Sequence, residues 1–581
     1  MRSRISFGLV FAAAVLGGLN SLDNGFLFDD RQAIVENVKV SRRQWGLIWT
    51  KPSWFAERTD QGWRPATTSS FAVDWAVHGP APFAWRLENL LLHGVAAALV
   101  VELCLALGCL PFAALLAGLL FGLHPIHTEV LNPIVGRGDI LATLCVLGAC
   151  RLYLAGLWTW ALAVFASGLF MKESVISLLP LLPLMDLWKE REIARLPSRF
   201  GRWLAFAGVL AAYLVVRHGV TGEWLPGAGT TAVMDNPLVA AAFPARISNA
   251  LYVLWRYVLL LVVPWPLSAD YSFDSIPVLG ALSPRNLLAV FLLAGLGWLV
   301  WLWRRATPQA GFFLAFFLLT FLLVSNLPFP IGVMMAERFM YLPSVGFCGL
   351  AALALSTMLS GFPLRLAAGM LLAAYAWLGF ERNRDWRNDA AIFLKTVETS
   401  PRSVRAMVNA GQIMLDAGRF EEARALNLAA LKEPQAAIFP LPYSNLGIAE
   451  LRLGDLDAAE AAFREALKRD PRYLDAWVNI GIVFAKQRRL DGAIEAFEQA
   501  AGLVPDASQE PHLPKLYYNL ALAQKQKAEV LRSEGDLGGA RALFGRALAN
   551  YGKALELNPG YDEAARGSAA LRAQLSSRIA R

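Results

Sequence analysis

The chain has 581 residues, 56% hydrophobic and only 17% charged, with 54 Lys+Arg against 46 Asp+Glu. Soluble domains carry about 25% charged residues, and mean hydropathy here is +0.43, so an ordinary cytosolic enzyme is excluded. The net charge of +8 is spread along the sequence and reads as membrane-topology charge rather than a nucleic-acid footprint. Five cysteines are too few for a disulfide framework. Cys104, Cys109, Cys145 and Cys150 lie in apolar runs and read as small packing residues.

Residues 1–380 are largely apolar and 381–581 are charged and Ala-rich. The predicted class is all-α, a polytopic membrane helical bundle followed by a helical-repeat solenoid. The divisions are 1–380 for the bundle, 381–402 for a linker helix, 403–560 for the repeats and 561–581 for a C-terminal helix or tail. About 20 apolar residues cross a bilayer, fewer where it thins. Candidate spans are 5–22, 87–108, 111–129, 139–155, 157–171, 174–188, 203–217, 286–303, 311–326, 342–359 and 364–380. The first follows Met-Arg-Ser-Arg without an A-x-A cleavage pattern, so an uncleaved first helix is expected. The apolar stretch 248–264 is ambiguous.

Lys/Arg in short loops set orientation. Residues 189–202 carry five of them, and Arg304/Arg305 and Arg2/Arg4 form two further clusters; all three are expected to be cytoplasmic. Counting crossings then places 23–86, 124–139, 172–173, 218–247, 265–285 and 327–341 outside. The count closes at about 11 spans if 248–264 is re-entrant or packed flat. The alternative is an additional weak crossing within 228–247.

With this topology the ionisable residues near the membrane gather on the external side. They are Asp29, Asp30, His124, His127, Glu129, Arg137, Asp139, Lys172, Glu173, Asp270, Asp274, Glu337 and Arg338. Such groups are costly at membrane depth and usually functional, although loops at helix ends are polar in any case. Asp29 and Asp30 can divide labour, one as general base and one orienting it, or they can be a solvated pair. Trp45, Trp49, Trp54 and Trp63 further along the loop suit a sugar-facing or interfacial helix. The H-x-x-H of His124 and His127 invites a metal reading. Pro125 and the lack of any companion His/Cys cluster argue against it, so no divalent metal and no cofactor are expected. Arg137/Asp139, Lys172/Glu173 and Glu337/Arg338 are opposite-charge neighbours. Their three cations suit a lipid phosphate, and structural ion pairs between helices are the alternative. No G-x-x-x-x-G-K-[ST], H-E-x-x-H or G-x-S-x-G motif occurs.

The polar half repeats every 34 residues. Asn445/Asn479, Gly447/Gly481, Ala459/Ala493, Phe463/Phe497, Ala466/Ala500 and Pro471/Pro505 are each 34 apart. This is the tetratricopeptide period, with about four units at 403–435, 440–472, 473–506 and 515–560. The last carries about ten extra residues. Such arrays bind polypeptides or serve as spacers.

The blocks FDDRQAIVENVKV, HPIHTEVLNPIVGRGDILA, MKESVISLLPLLPLMD, PWPLSADYS and AERFMYLPSVGF stand in this order before the repeats. Together they resemble the transmembrane and tetratricopeptide-repeat O-mannosyltransferase family, over nearly the whole chain. The resemblance implies a GT-C type glycosyltransferase. Such an enzyme moves a sugar, with inversion, from a polyprenyl-phosphate donor to Ser/Thr hydroxyls on the non-cytoplasmic face. It implies Asp29 as the base and Asp30 as its partner, with Arg137, Lys172 and Arg338 on the donor phosphate. His124, His127, Glu129, Asp139, Glu173, Asp270 and Glu337 would line the donor and acceptor cavity. Expected partners are the lipid-linked sugar, acceptor proteins presented by the repeats, and membrane lipid. Short loops and the lack of a retention signal give an expected bacterial inner membrane location, with the repeats in the periplasm. Two other readings stay open: a non-enzymatic membrane-anchored scaffold, and a transferase acting on a glycan or lipid.

Overall fold

A computed structural model describes residues 2–53, 62–190, 198–224, 233–273, 275–433, 436–503 and 513–579. Trp54, Asp274, Pro505 and residues 191–197 of the basic cluster lie outside these. The chain divides into two compact units, Met1–Arg405 and Ala406–Arg581. Every regular element among the described residues is helical.

In the first unit, proline starts many of the helices. Pro65, Pro82, Pro111, Pro284 and Pro308 each occupy a first helical position, where the missing N–H costs nothing and φ is already helical. Among the described residues five helices are long and apolar enough to cross a membrane: Pro82–Ala106, Phe200–Thr221, Phe243–Val262, Pro284–Trp303 and Gly361–Asp385. Pro111–Leu123 and Pro125–Leu131 form a pair bent by 44°, which makes a sixth if taken together. Ser6–Ser21, Trp158–Leu169, Pro308–Val324 and Ser344–Met358 are apolar but shorter. The expected count of eleven is therefore not reached by length. A 12-residue helix such as Trp158–Leu169 spans about 18 Å against a hydrocarbon core of about 30 Å.

Of the stretch 248–264, all but the last two residues fall in one unbroken helix, Phe243–Val262. Both of its ends are tied to the loop layer. The Asn249 amide donates to Leu279 O at 2.7 Å, and its oxygen accepts from Arg285 at 2.8 Å. Tyr257 Oη donates to Ala336 O at 3.0 Å. Leu261 O, near the other end, meets His124 Nε2 and Tyr375 Oη, each at 3.0 Å. The helix does not turn back on itself, so the re-entrant form is not seen, and by length and composition it is able to cross a membrane. Of the 228–247 stretch, residues 228–232 lie outside the described residues and 233–242 hold only the short turn Pro237–Ala240.

The core of this unit is rich in alanine and leucine. Val10 and Ala14 pack with Leu90, Ala97 and Val101 and with Ala114, Ala117 and Phe121; small residues let membrane helices approach closely. All five cysteines are buried and free, as packing residues should be.

The second unit is a series of helix pairs: Phe420–Leu431 after Val404–Asp416, Pro440–Leu453 with Leu456–Arg469, Leu474–Lys486 with Leu490–Gly502, and Leu513–Ser533 with Leu537–Leu557, then Asp562–Ile579. The repeated spacing has a steric origin. A Cβ on Gly447 or Gly481 would lie 2.7 Å from the ring of Phe463 or Phe497, so only glycine lets the two helices of a pair seat that ring. The residues that lengthen the last repeat extend both of its helices, each of which runs 21 residues against 13 or 14 in the two preceding pairs.

Candidate active site

The Asp29–Asp30 turn sits in a short helical segment, Phe28–Asp30, just beyond the first helix. The two carboxylates have different surroundings. Asp30 is fully buried. One of its oxygens accepts from Leu27 N–H at 3.1 Å, the other from Val135 N–H at 3.0 Å. Burial raises its pKa, the nearby Arg86 and these N–H donors restrain the rise, and it settles at about 6. Asp30 therefore ties the turn to the 133–137 segment. Asp29 is half-buried and within electrostatic reach of Arg338.

The 337–344 segment contributes the next groups. Arg338 Nη1 lies 2.5 Å from Glu129 Oε1, and Arg338 N–H donates to Glu129 Oε2 at 2.9 Å. Glu129 is almost completely buried, whereas 39% of the Arg338 side chain is accessible. Burial opposes the Arg338 charge, but the carboxylates of Glu129, Asp29 and Asp139 outweigh it and hold the proton more tightly. Glu337 points the other way. Its Oε1 accepts from Ser268 N–H at 2.5 Å and Tyr271 O–H at 2.7 Å. Burial pushes its pKa up; Arg382 opposes the rise and Glu129 adds to it, leaving it at about 8. Asp270 accepts from the hydroxyls of Ser272 and Ser403, each at 2.5 Å; its pKa is raised by burial against those bonds.

A third group lies at the 172–173 turn. Lys172 Nζ meets Asp139 at 2.6 Å, and Arg64 Nη2 meets Glu173 at 2.6 Å. Burial alone would raise the Glu173 pKa; Arg64 and then Lys172 bring it to about 2. Burial lowers the Lys172 pKa, and Asp139 partly restores it.

The opposite-charge neighbours in the sequence therefore do not pair with each other. Arg137 does not join this group and does not suit a donor phosphate. It is buried against Asp74, Glu88 at 3.1 Å, Asn89 Oδ1 at 2.8 Å and the Phe71 ring. Its guanidinium is spent on holding the Pro65–His78 helix to the Pro82–Ala106 helix. His124 and His127 also face inward. His124 Nδ1 accepts from Ile126 N–H at 3.2 Å, with Nε2 on Leu261 O, and His127 Nε2 meets Ser344 Oγ at 2.9 Å. Both brace the bend between the helices, and His124 also lines a small cavity with Gly18, Thr128, Gly379 and Asn383. Among the described residues no three His, Cys, Asp or Glu side chains are arranged to hold a metal.

The residues brought together are thus Asp29, Glu129, Asp139, Lys172 and Arg338, linked by direct pairing or by the field at Arg338. Sequence reasoning missed Arg64, Tyr257, Tyr271 and Arg382. Arg64 closes the tryptophan-rich loop just before Pro65, and Tyr271 stands inside the SADYS block. Both positions were on view, but Arg64 has no charged neighbour to flag it, and beside Tyr271 the charge of Asp270 drew the reading instead.

Two family descriptions match the chain. Residues 230–297 match "Protein O-mannosyl-transferase TMTC, DUF1736", and 378–438 and 444–508 match the tetratricopeptide repeat. Protein O-mannosyl-transferase Tmtc3 of Drosophila melanogaster is 28% identical over 87% of this chain and 65% of its own length. Human TMTC3 is 25% identical over 93% of this chain and 66% of its own length. Human TMTC4 is 27% identical over 71% and 64%. The family resemblance carried by the motifs holds. The chain spans slightly under two thirds of these TMTC relatives, and its apolar helices mark it as a membrane protein.

Proposed function

We propose that this protein is a membrane glycosyltransferase that moves a mannosyl group from a polyprenyl phosphate to Ser/Thr hydroxyls of proteins on the non-cytoplasmic face. The observation that carries the reading is the accessible Arg338 guanidinium within the field of Asp29 and Asp139. A hydroxyl needs a carboxylate at hydrogen-bond distance to take its proton as it attacks. The leaving group is a phosphate ester, so it needs cations rather than a strong acid. In the reaction the hydroxyl oxygen bonds to the anomeric carbon, the bond from that carbon to the phosphate oxygen breaks with inversion, and Asp29 receives the proton. Arg338 and Lys172 receive the departing phosphate. Glu129 and Asp139 hold those two cations in place through the 2.5 and 2.6 Å pairs. Asp30 acts at one remove by fixing the turn. The names of the relatives support the sugar and the acceptor class. The repeats, a fold that commonly grips polypeptides, suit acceptor presentation, and a bacterial inner membrane with periplasmic repeats suits the short loops.

The test is transfer of label from polyprenyl-phosphate-[3H]mannose by the purified protein to envelope proteins. Alkali-labile label in protein is expected, together with its loss in Asp29→Asn at unchanged thermal stability. Undiminished transfer by Asp29→Asn overturns the assignment of the base, and label in lipid or glycan but not protein overturns the acceptor.

A further inference from the structure

The loop that carries Asp29 is fastened along its length to the end of the last apolar helix, Gly361–Asp385, and to the segment that leaves it. Asn20 Nδ2 donates to Phe380 O at 2.8 Å, and Asn383 Nδ2 donates to Asn20 Oδ1 at 2.9 Å. Asn24 Nδ2 donates to Asn383 O at 3.0 Å and to Asn132 Oδ1 at 2.7 Å. Gly25 N–H donates to Arg387 O at 3.1 Å. The last fastening is the closest to the candidate base. Phe28 N–H donates to Asp389 Oδ1 at 2.9 Å, Arg31 lies 3.6 Å from the other oxygen of Asp389, and the Phe28 ring meets Phe393 edge-on at 5.7 Å.

The physical need is clear. The first turn of a helix has N–H groups with no partner inside it. In the Phe28–Asp30 turn, Leu27 N–H is taken by Asp30 and Phe28 N–H by Asp389. The base is thus held from both sides, by Asp30 toward the 133–137 segment and by Asp389 toward the Asp389–Thr399 helix. The Asp389–Thr399 helix does not depend on Asp389 for its cap, because the Asn388 side chain accepts from Ala391 N–H at 2.9 Å.

We infer that Asp389 is a positioning residue for the transfer reaction, aiming Asp29 by fixing the Phe28 N–H. This rests on the reading of Asp29 as base, and its test separates the two. Asp389→Asn keeps an oxygen for the N–H but loses the ion pair with Arg31, whereas Asp389→Ala loses both. In the full-length protein, with polyprenyl-phosphate-mannose as donor, Asp389→Ala is expected to lower kcat about 10- to 100-fold, the scale of a misplacement near 1 Å. KM for the donor should stay within about twofold, because the mutation removes no contact to the phosphate. Asp389→Asn should restore kcat to within a few fold of the wild type. Hydrogen exchange of the peptide covering 24–31 gives a readout independent of activity: faster exchange in Asp389→Ala and near-wild-type exchange in Asp389→Asn. Unchanged kcat in Asp389→Ala overturns the inference, whether or not exchange quickens. So does an Asp389→Asn variant as impaired as Asp389→Ala. Full activity in Asp29→Asn instead removes the reading of the base, whatever Asp389 does.

Discussion

Asp29 and Asp30 are adjacent, yet one is buried on two backbone N–H groups and the other faces Arg338. Asp29→Asn should therefore lower kcat by about 10²–10⁴-fold, the usual worth of a general base, with thermal unfolding unmoved. Asp30→Ala should unfold the turn and lower stability as well as activity. Arg338→Ala has a second consequence. It leaves Glu129, which is 3% accessible, with the Arg338 backbone N–H but without its charged partner, a loss that costs about 1–3 kcal/mol. Arg338→Ala with Glu129→Gln should recover most of that stability without recovering activity, as thermal unfolding and transfer assays together would read. Glu337 supplies a pH signature. Its folded pKa, about 8, lies above its ordinary 4.5, so the folded protein binds the additional proton between those values. The contribution is fully present below pH 4.5 and lost as pH rises through about 8. Stability in detergent should fall over that window, and Glu337→Gln should flatten the fall. An equal slope in both proteins would remove Glu337 as the cause.

At the scale of elements, the sequence period in the polar half reports a steric fit that can be tested directly. Gly481→Ala would place a methyl group 2.7 Å from the Phe497 ring, and overpacking of this kind costs about 1–3 kcal/mol. The expected result is earlier unfolding of the repeat unit in urea with transfer to short acceptor peptides retained; unchanged unfolding would show that the pair can splay. Much of this unit was legible because each repeat buries the same small set of residues at fixed positions. Pairing across the membrane half was not. Arg137 and Asp139, Lys172 and Glu173, and Glu337 and Arg338 are one or two positions apart, and residues so spaced project to different sides of a helix or turn. The true partners, Asp139 with Lys172 and Glu129 with Arg338, are separated by other helices. Local sequence marked the charged residues as unusual in apolar surroundings but carried no information on which helix ends would meet. The bonds at the ends of Phe243–Val262 were hidden for the same reason.

For the molecule as a whole, the sidedness inferred from basic loops assigns each surface a face of the membrane. Cysteines introduced at the exposed Asp23 and Glu398 should react with an impermeant maleimide from the same side, and one at the exposed Arg305 only from the other. The native thiols are all buried, so these probes need no cysteine-free background. Labelling of Asp23→Cys and Glu398→Cys from opposite sides would break the topology on which the site depends.

The fastening between Phe28 and Asp389 joins positions 361 apart in the chain. A ribosome delivers the first of these early and the second only after the entire apolar half has been made. Until then the loop bearing the candidate base has no partner for its last bond. Nascent or truncated chains that stop short of residue 389 would insert with that turn held on one side only, so full activity is expected only once synthesis has passed this point.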